Sequence, residues 1–212
     1  MWRTLYGIAT LATWLWLSEC SRAEYAFEFG AAGSSPQTSF TIGSVGGTVD
    51  IQVYLRELNG GTVLASYGLF SSGVLVDFDS SIVSVSLITG NPEFNSILSS
   101  ISSGQASLNV VKAEYPWAVY PDPLTPNRIL LGTFTFTGLA PGIAVIDVQD
   151  PPTHDTITGN GELLDPISSG SGTITVAPEP NGLLTMISLG ASAGIGSLTW
   201  RGWRRRKQGI VG

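Results

Sequence analysis

The chain has 212 residues and a formal net charge of −6, with 12% charged residues, 26 glycines, 12 prolines and one cysteine. One cysteine supports no disulfide framework and no Cys-based metal cluster. Between residues 24 and 177, three cations (Arg56, Lys112, Arg128) stand against fourteen acids, a formal charge near −11; this excludes nucleic acid as a partner, which is bound through clustered Lys and Arg.

The N-terminus reads as a signal peptide over residues 1–23. Met1-Trp2-Arg3 is a short positive start, and Leu5 to Leu17 is an apolar run too short to span a bilayer comfortably. Ser21-Arg22-Ala23 places small residues at −3 and −1 of a cut before Glu24, and the lone Cys20 leaves with the leader. A lipoprotein cut at Cys20 is the alternative, but Glu19 occupies the position that needs a small residue.

Residues 24–177 read as one all-β domain, long enough to bury a sizeable core. Tyr25–Phe29 and Thr38–Ile42 are short strand-like runs. Thr48–Leu55 alternates cleanly, with Val49, Ile51, Val53 and Leu55 on one face, and Asn59-Gly60-Gly61 supplies turn chemistry after it. Leu69–Phe78 and Ile82–Ile88 follow as strands, the second with Val83, Val85 and Leu87 on one side.

One segment breaks the period of two. Asn91-Pro92-Glu93 has the form of a helix N-terminus, and Phe94, Ile97, Leu98 and Ile101 follow at helical spacing. The spacing predicts a short helix ending by Gly104 and packed over one end of a sandwich. Ser107–Tyr115 is then a strand, and Pro116–Pro126, with four prolines, a loop or edge segment. Arg128–Thr137 alternates, with Ile129 and Leu131 on one side and Leu130, Phe134 and Phe136 on the other. Ile143–Val148 and Gly172–Val176 are strands separated by a long Asp/Gly/Pro loop over 150–170. Eight to ten short strands with turns between them predict a β-sandwich.

After Ala177 the chain changes character. Pro178-Glu179-Pro180 is a rigid polar motif, and 181–200 is a charge-free apolar span. Five cations (Arg201, Arg204, Arg205, Arg206, Lys207) then crowd into 201–207. About twenty apolar residues suffice for a transmembrane helix, and a basic end holds that terminus in the cytoplasm.

Candidate chemistry is sparse. Gly190-Ala191-Ser192-Ala193-Gly194 has the form of a nucleophile elbow but lies inside the apolar span, where small residues serve helix packing. His154 is the sole histidine and sits in a Pro/Asp loop with no nucleophile in sequence beside it. Asp77 with Asp79, and Asp147 with Asp150, are carboxylate pairs that could do acid–base work only if held across a cleft; Asp77 and Asp79 share one strand face and flank a turn, which suits turn chemistry better. No catalytic residue is assigned. Asp150, Asp155, Asn160, Glu162 and Asp165 share one loop and could offer oxygens to a calcium ion, although their spacing is not that of an EF-hand; a solvated acidic loop is the plainer alternative. Tyr115, Trp117 and Tyr120 could stack on sugar rings or, alternatively, cover the end of the sandwich.

Two resemblances add to this. Pro178-Glu179-Pro180, the apolar span and the Arg cluster resemble the PEP-CTERM sorting signal of Gram-negative, exopolysaccharide-producing bacteria over residues 178–207. The resemblance implies recognition by an exosortase, a membrane cysteine protease or transpeptidase. The body resembles a cohesin-like domain of the carbohydrate-binding β-sandwich superfamily. The stretches that carry it are Gly47 to Leu55, Val74 to Val85 with Asp77-Phe78-Asp79-Ser80-Ser81-Ile82, Arg128 to Val148 with Ala140-Pro141-Gly142, and Gly172 to Val176. Ile88–Pro126 departs from a compact cohesin and reads as an insertion. No residue matches a dockerin-contact position, so dockerin binding is not carried over.

The expectation is an exported, non-enzymatic protein with no cofactor unless calcium binds. Its C-terminal helix holds it in the inner membrane until an exosortase processes it. The sandwich then serves at the cell surface or in the extracellular matrix as an adhesion or structural module, in contact with another surface protein or polysaccharide. A carbohydrate-binding module for exopolysaccharide is the alternative.

Overall fold

The computed structural model describes residues 25–31, 35–165 and 167–179. Signal peptide 1–23, Pro180, apolar span 181–200 and the cations of 201–207 lie outside the described residues. Among the described residues, no helix is long and apolar enough to cross a membrane. Pro178 and Glu179 are exposed, irregular backbone after the last strand.

The strands are β1 (Tyr25–Gly30), β2 (Ser39–Ile42), β3 (Thr48–Glu57), β4 (Leu69–Phe78), β5 (Val83–Gly90), β6 (Ser96–Ser102), β7 (Gln105–Val111), β8 (Arg128–Gly138), β9 (Gly142–Gln149), β10 (Ile157–Thr158), β11 (Ile167–Ser168) and β12 (Gly170–Val176). They form two sheets. One is five-stranded in the order β11-β1-β3-β8-β5; the other has seven strands, β2-β12-β9-β4-β7-β6 with β10 on β4. Pairing is antiparallel except for β1 with β11 and β2 with β12. The predicted all-β sandwich is therefore the observed architecture.

Alternation drives the packing. Ile51, Val53 and Leu55 of β3 are fully buried, as are Val74 and Val76 of β4 and Ala144, Ile146 and Val148 of β9. The inner faces meet through two edge-to-face aromatic pairs, each joining one sheet to the other. Phe29 of β1 meets Phe40 of β2 at 6.5 Å between centroids, and Phe78 of β4 meets Phe136 of β8 at 5.8 Å.

Two irregularities change which residues face inward. Val53 and Tyr54 of β3 pair with Gly132 and Leu130 of β8, so Leu131 is an extra residue in its strand. This bulge reverses the parity of β8, and Ile129, Leu131, Phe134 and Phe136 all enter the core. Strict alternation had placed the first two opposite the last two. In β5 the register shifts between Val85 and Leu87, which leaves Leu87 exposed rather than beside Val83 and Val85.

The predicted helix over 91–104 is not formed. Asn91 makes a turn instead: its Oδ1 accepts from the Glu93 N–H (3.1 Å), its C=O from the Phe94 N–H (3.1 Å), and its Nδ2 donates to the Leu130 carbonyl (2.9 Å). Ser96–Ser102 then pairs as β6 with β7 through the two-residue turn Ser103-Gly104. Phe94 is buried, while Ile97, Leu98 and Ile101 are exposed. Serine is a poor helix interior residue, and β7 offers this Ser-rich segment a complete ladder of partners.

A helix the sequence did not signal does form, α1 (Val63–Tyr67). Buried Glu57, at the end of β3, accepts the Val63 N–H at Oε1 (3.0 Å) and the Leu64 N–H at Oε2 (3.1 Å). The carboxylate thereby satisfies donors at the open end of the helix. Gly61 makes room for it, since a Cβ there would meet the Glu57 side chain.

Candidate functional site

The outer face of the seven-stranded sheet carries apolar and polar side chains in register. Along β9, Ala144, Ile146 and Val148 point inward and Ile143, Val145, Asp147 and Gln149 outward. Ile143 and Val145 are 63% and 54% exposed. Beside them, Thr175 and Thr173 of β12 stand in register with Ile143 and Val145, and Thr41 and Ser39 of β2 extend the same rows. On the other side, Asp147 is paired with Asp77 of β4, and Asp77 with Gln105 of β7. Asp77 accepts from the amides of Gln105 (2.9 Å) and Gln149. The face thus combines apolar side chains, hydroxyls and a carboxylate pair.

The paired acids considered from sequence have other partners. Asp79 Oδ1 accepts from both the N–H (2.9 Å) and the hydroxyl (2.6 Å) of Ser81, and these bonds hold its carboxyl below the usual range. It serves the turn between β4 and β5. Asp147 meets Asp77, not Asp150. His154 is exposed, with its Nδ1 at 2.9 Å from the Thr153 hydroxyl. Its loop lies over Gly73 of β4, where a Cβ would meet His154, Pro151 and Asn109.

The calcium candidates divide. Burial, then Asp165, then Asp155 push the Asp150 carboxyl up to about 6, and its buried Oδ1 has no hydrogen-bond partner among the described residues. Asn160 and Glu162 belong instead to a turn around Thr158, whose hydroxyl bonds Asn160 Oδ1 and accepts the Glu162 N–H (3.0 Å). Among the described residues, no group of three or more His, Cys, Asp and Glu side chains is placed to hold a metal ion.

Tyr115, Trp117 and Tyr120 lie between β7 and β8 and are 84%, 57% and 50% exposed. Ala118 and Val119 are the buried members of that stretch, and Val119 bridges Leu69 of β4. Tyr120 also lines a cavity of about 390 Å³ with Tyr54, Asn91, Leu124 and Arg128. There the Arg128 guanidinium stacks 4.6 Å from the Tyr54 ring centroid. Glu28 of β1 lies between Arg56 (3.3 Å) and Arg128 (3.6 Å). Two of the three cations of residues 24–177 thus converge on one carboxylate. Sequence reasoning did not find this cluster. Each member occupies an outward position of an alternating strand, but only the β1-β3-β8 order makes them neighbours.

No family model matches the sequence, and no curated protein is similar to it. Solved structures are similar to the described fold. A cohesin module from a family 33 glycoside hydrolase of Clostridium perfringens has a TM-score of 0.53 at 14% identity, over 74% of this chain and 99% of that one. The seventh ScaB type I cohesin from Pseudobacteroides cellulosolvens has a TM-score of 0.52 at 13% identity, over 74% and 94%. A type I cohesin–dockerin complex of OlpA from Clostridium thermocellum has a TM-score of 0.51 at 12% identity, over 72% and 99%. The chain is a cohesin-like β-sandwich. At these identities the likeness is one of fold.

Proposed function

We propose that this domain is a non-enzymatic protein-binding module of an exported protein, and that it binds through the outer face of its seven-stranded sheet. The observation that carries the reading is the exposed Ile143–Val145 pair within rows of hydroxyls beside Asp77 and Asp147. Apolar side chains ringed by hydrogen-bonding groups make a surface that buries well against another protein. The cohesin of the Clostridium thermocellum complex is bound to a dockerin, which supports protein recognition by this fold. The partner here is another surface protein, with no dockerin-contact residue to narrow it further.

The ends of the sequence supply the address. The leader exports the chain, 181–200 holds it in the inner membrane, and an exosortase acts at Pro178-Glu179-Pro180 before the module reaches the cell surface or matrix. Prolines keep that motif extended and accessible outside the membrane. Intact mass of the native protein tests the sorting: a species ending near residue 178 supports it, and a retained tail overturns it. Val145→Glu with Ile143→Glu tests the face. The variant should fold normally yet pass from the matrix fraction into the medium; unchanged retention would sink the assignment.

A second reading rests on Tyr115, Trp117 and Tyr120, which are exposed on one segment, with Tyr120 lining a cavity beside Arg128. Exposed aromatic faces can stack on the sugar rings of an exopolysaccharide. Glycan-array binding lost on Trp117→Ala would favour it, and no binding to any glycan would remove it.

A further inference from the structure

We propose that β6 pairs antiparallel with β6 of a second copy of this chain, about a two-fold axis through Ser99. Among the described residues β6 is the last strand of its sheet, paired only with β7, and all seven of its residues are exposed. Edge strands are ordinarily guarded by charge, proline, a bulge or shortness. β6 has none of these guards. Its register with β7 is unbroken, and it contains no charged residue and no proline. From Phe94 to Val111 the chain carries no charge, within a domain whose formal charge is near −11. This hairpin is therefore where a second copy can approach with least repulsion.

The hydrogen-bonding phase selects the register. Ser102 and Gln105 face each other across the turn Ser103-Gly104, and the pair flanking a two-residue turn exchanges ladder bonds. Counting back by twos, Ser100, Leu98 and Ser96 turn their N–H and C=O groups toward β7. Ile101, Ser99 and Ile97 turn theirs to the open edge. An antiparallel partner centred on Ser99 pairs Ile97 with Ile101, Ser99 with itself, and Ile101 with Ile97, so every outward group is used. The side chains agree with this phase. Ser-Ile-Leu-Ser-Ser-Ile-Ser reads nearly the same in both directions, so each isoleucine meets an isoleucine. Ile97 and Ile101, 40% and 48% exposed, lie on the side of the core residues of β7. Ile97 rests against Gly90, the end of β5 at the edge of the other sheet. A second copy would cover both isoleucines on the open side of the sandwich. A two-fold contact of this kind closes after two chains. It leaves the Ile143–Val145 region free and does not depend on what that region binds.

Disulfide trapping of the full chain, solubilised in detergent and carrying Cys20→Ser, tests the register. Across such a pair the two Ser99 Cα atoms lie about 5.5 Å apart, within reach of a disulfide, whereas two Ser96 positions lie roughly 20 Å apart. Ser99→Cys should become a covalent dimer under mild oxidation, and Ser96→Cys should remain monomeric. Ile97→Lys added to Ser99→Cys should abolish the cross-link, with circular dichroism unchanged. A Ser99→Cys chain that stays monomeric overturns the proposal. So does equal cross-linking of the Ser96→Cys and Ser99→Cys chains, which would mark contact elsewhere.

Discussion

Asp77 of β4 and Asp147 of β9 stand directly opposite each other on the exposed face of the seven-stranded sheet. Like charges at facing positions oppose strand pairing, and here two glutamine amides, from Gln105 and Gln149, donate to Asp77. Asp147→Asn removes the repulsion and leaves both amide bonds to Asp77 intact. The variant should be more stable by about 0.2–1 kcal/mol, read as a rise in Tm. A lowered midpoint would show that the two acids do not repel in solution.

Glu57 is the buried carboxylate that starts α1. Glu57→Ala leaves the Val63 and Leu64 N–H groups without their acceptor and should destabilise by roughly 1–3 kcal/mol. Glu57→Gln keeps one acceptor and should cost less. Gly61→Ala should resemble Glu57→Ala, because its Cβ would displace the same carboxylate. Urea denaturation of the three variants checks the order.

The segment 94–101 allows a direct test of strand against helix. A helix packed on the sandwich would bury Phe94, Ile97, Leu98 and Ile101 alike. In the structure Phe94 is buried and Leu98 is 66% exposed. Phe94→Ala should therefore cost about 3–5 kcal/mol, and Leu98→Ala should stay within about 0.5 kcal/mol. Similar losses at both positions would contradict the strand.

Asp150 gives stability a pH dependence of known sign. Its carboxyl is raised from 3.8 to about 6 by burial and by Asp165 and Asp155. A raised acid favours the folded state when protonated, so its contribution is full below 3.8 and is lost as pH rises through about 6. Asp150→Asn should have a higher Tm than the parent at about pH 7.5, and the gap should close as pH falls toward about 4. Partial exposure moderates the size of the gap. A gap that is constant with pH would place Asp150 in a more open environment.

The strands of this protein were legible because alternation is local. Thr48 to Leu55 shows its buried face in eight consecutive letters, and every long run of period two became a strand. Turn chemistry was legible too, although Asn91-Pro92-Glu93 was assigned to the wrong element: Asn91 caps a turn with the same bonds that it would use at a helix. Glu57 was not legible as a cap because the donors it meets lie six and seven residues on, across a loop.

The sequence by itself determined the class of fold, the absence of charge from Phe94 to Val111 and the three-part C-terminal segment, each a matter of residue type and near-neighbour spacing. Only the tertiary structure decided that Leu131 forms a bulge, that Asp77 meets Asp147 rather than Asp79, that Arg56 and Arg128 share Glu28, and that β6 is an edge. The reason is separation along the chain. Thr135 bonds Asp50 across 85 residues, and such pairings depend on how whole strands are ordered, which no local period records.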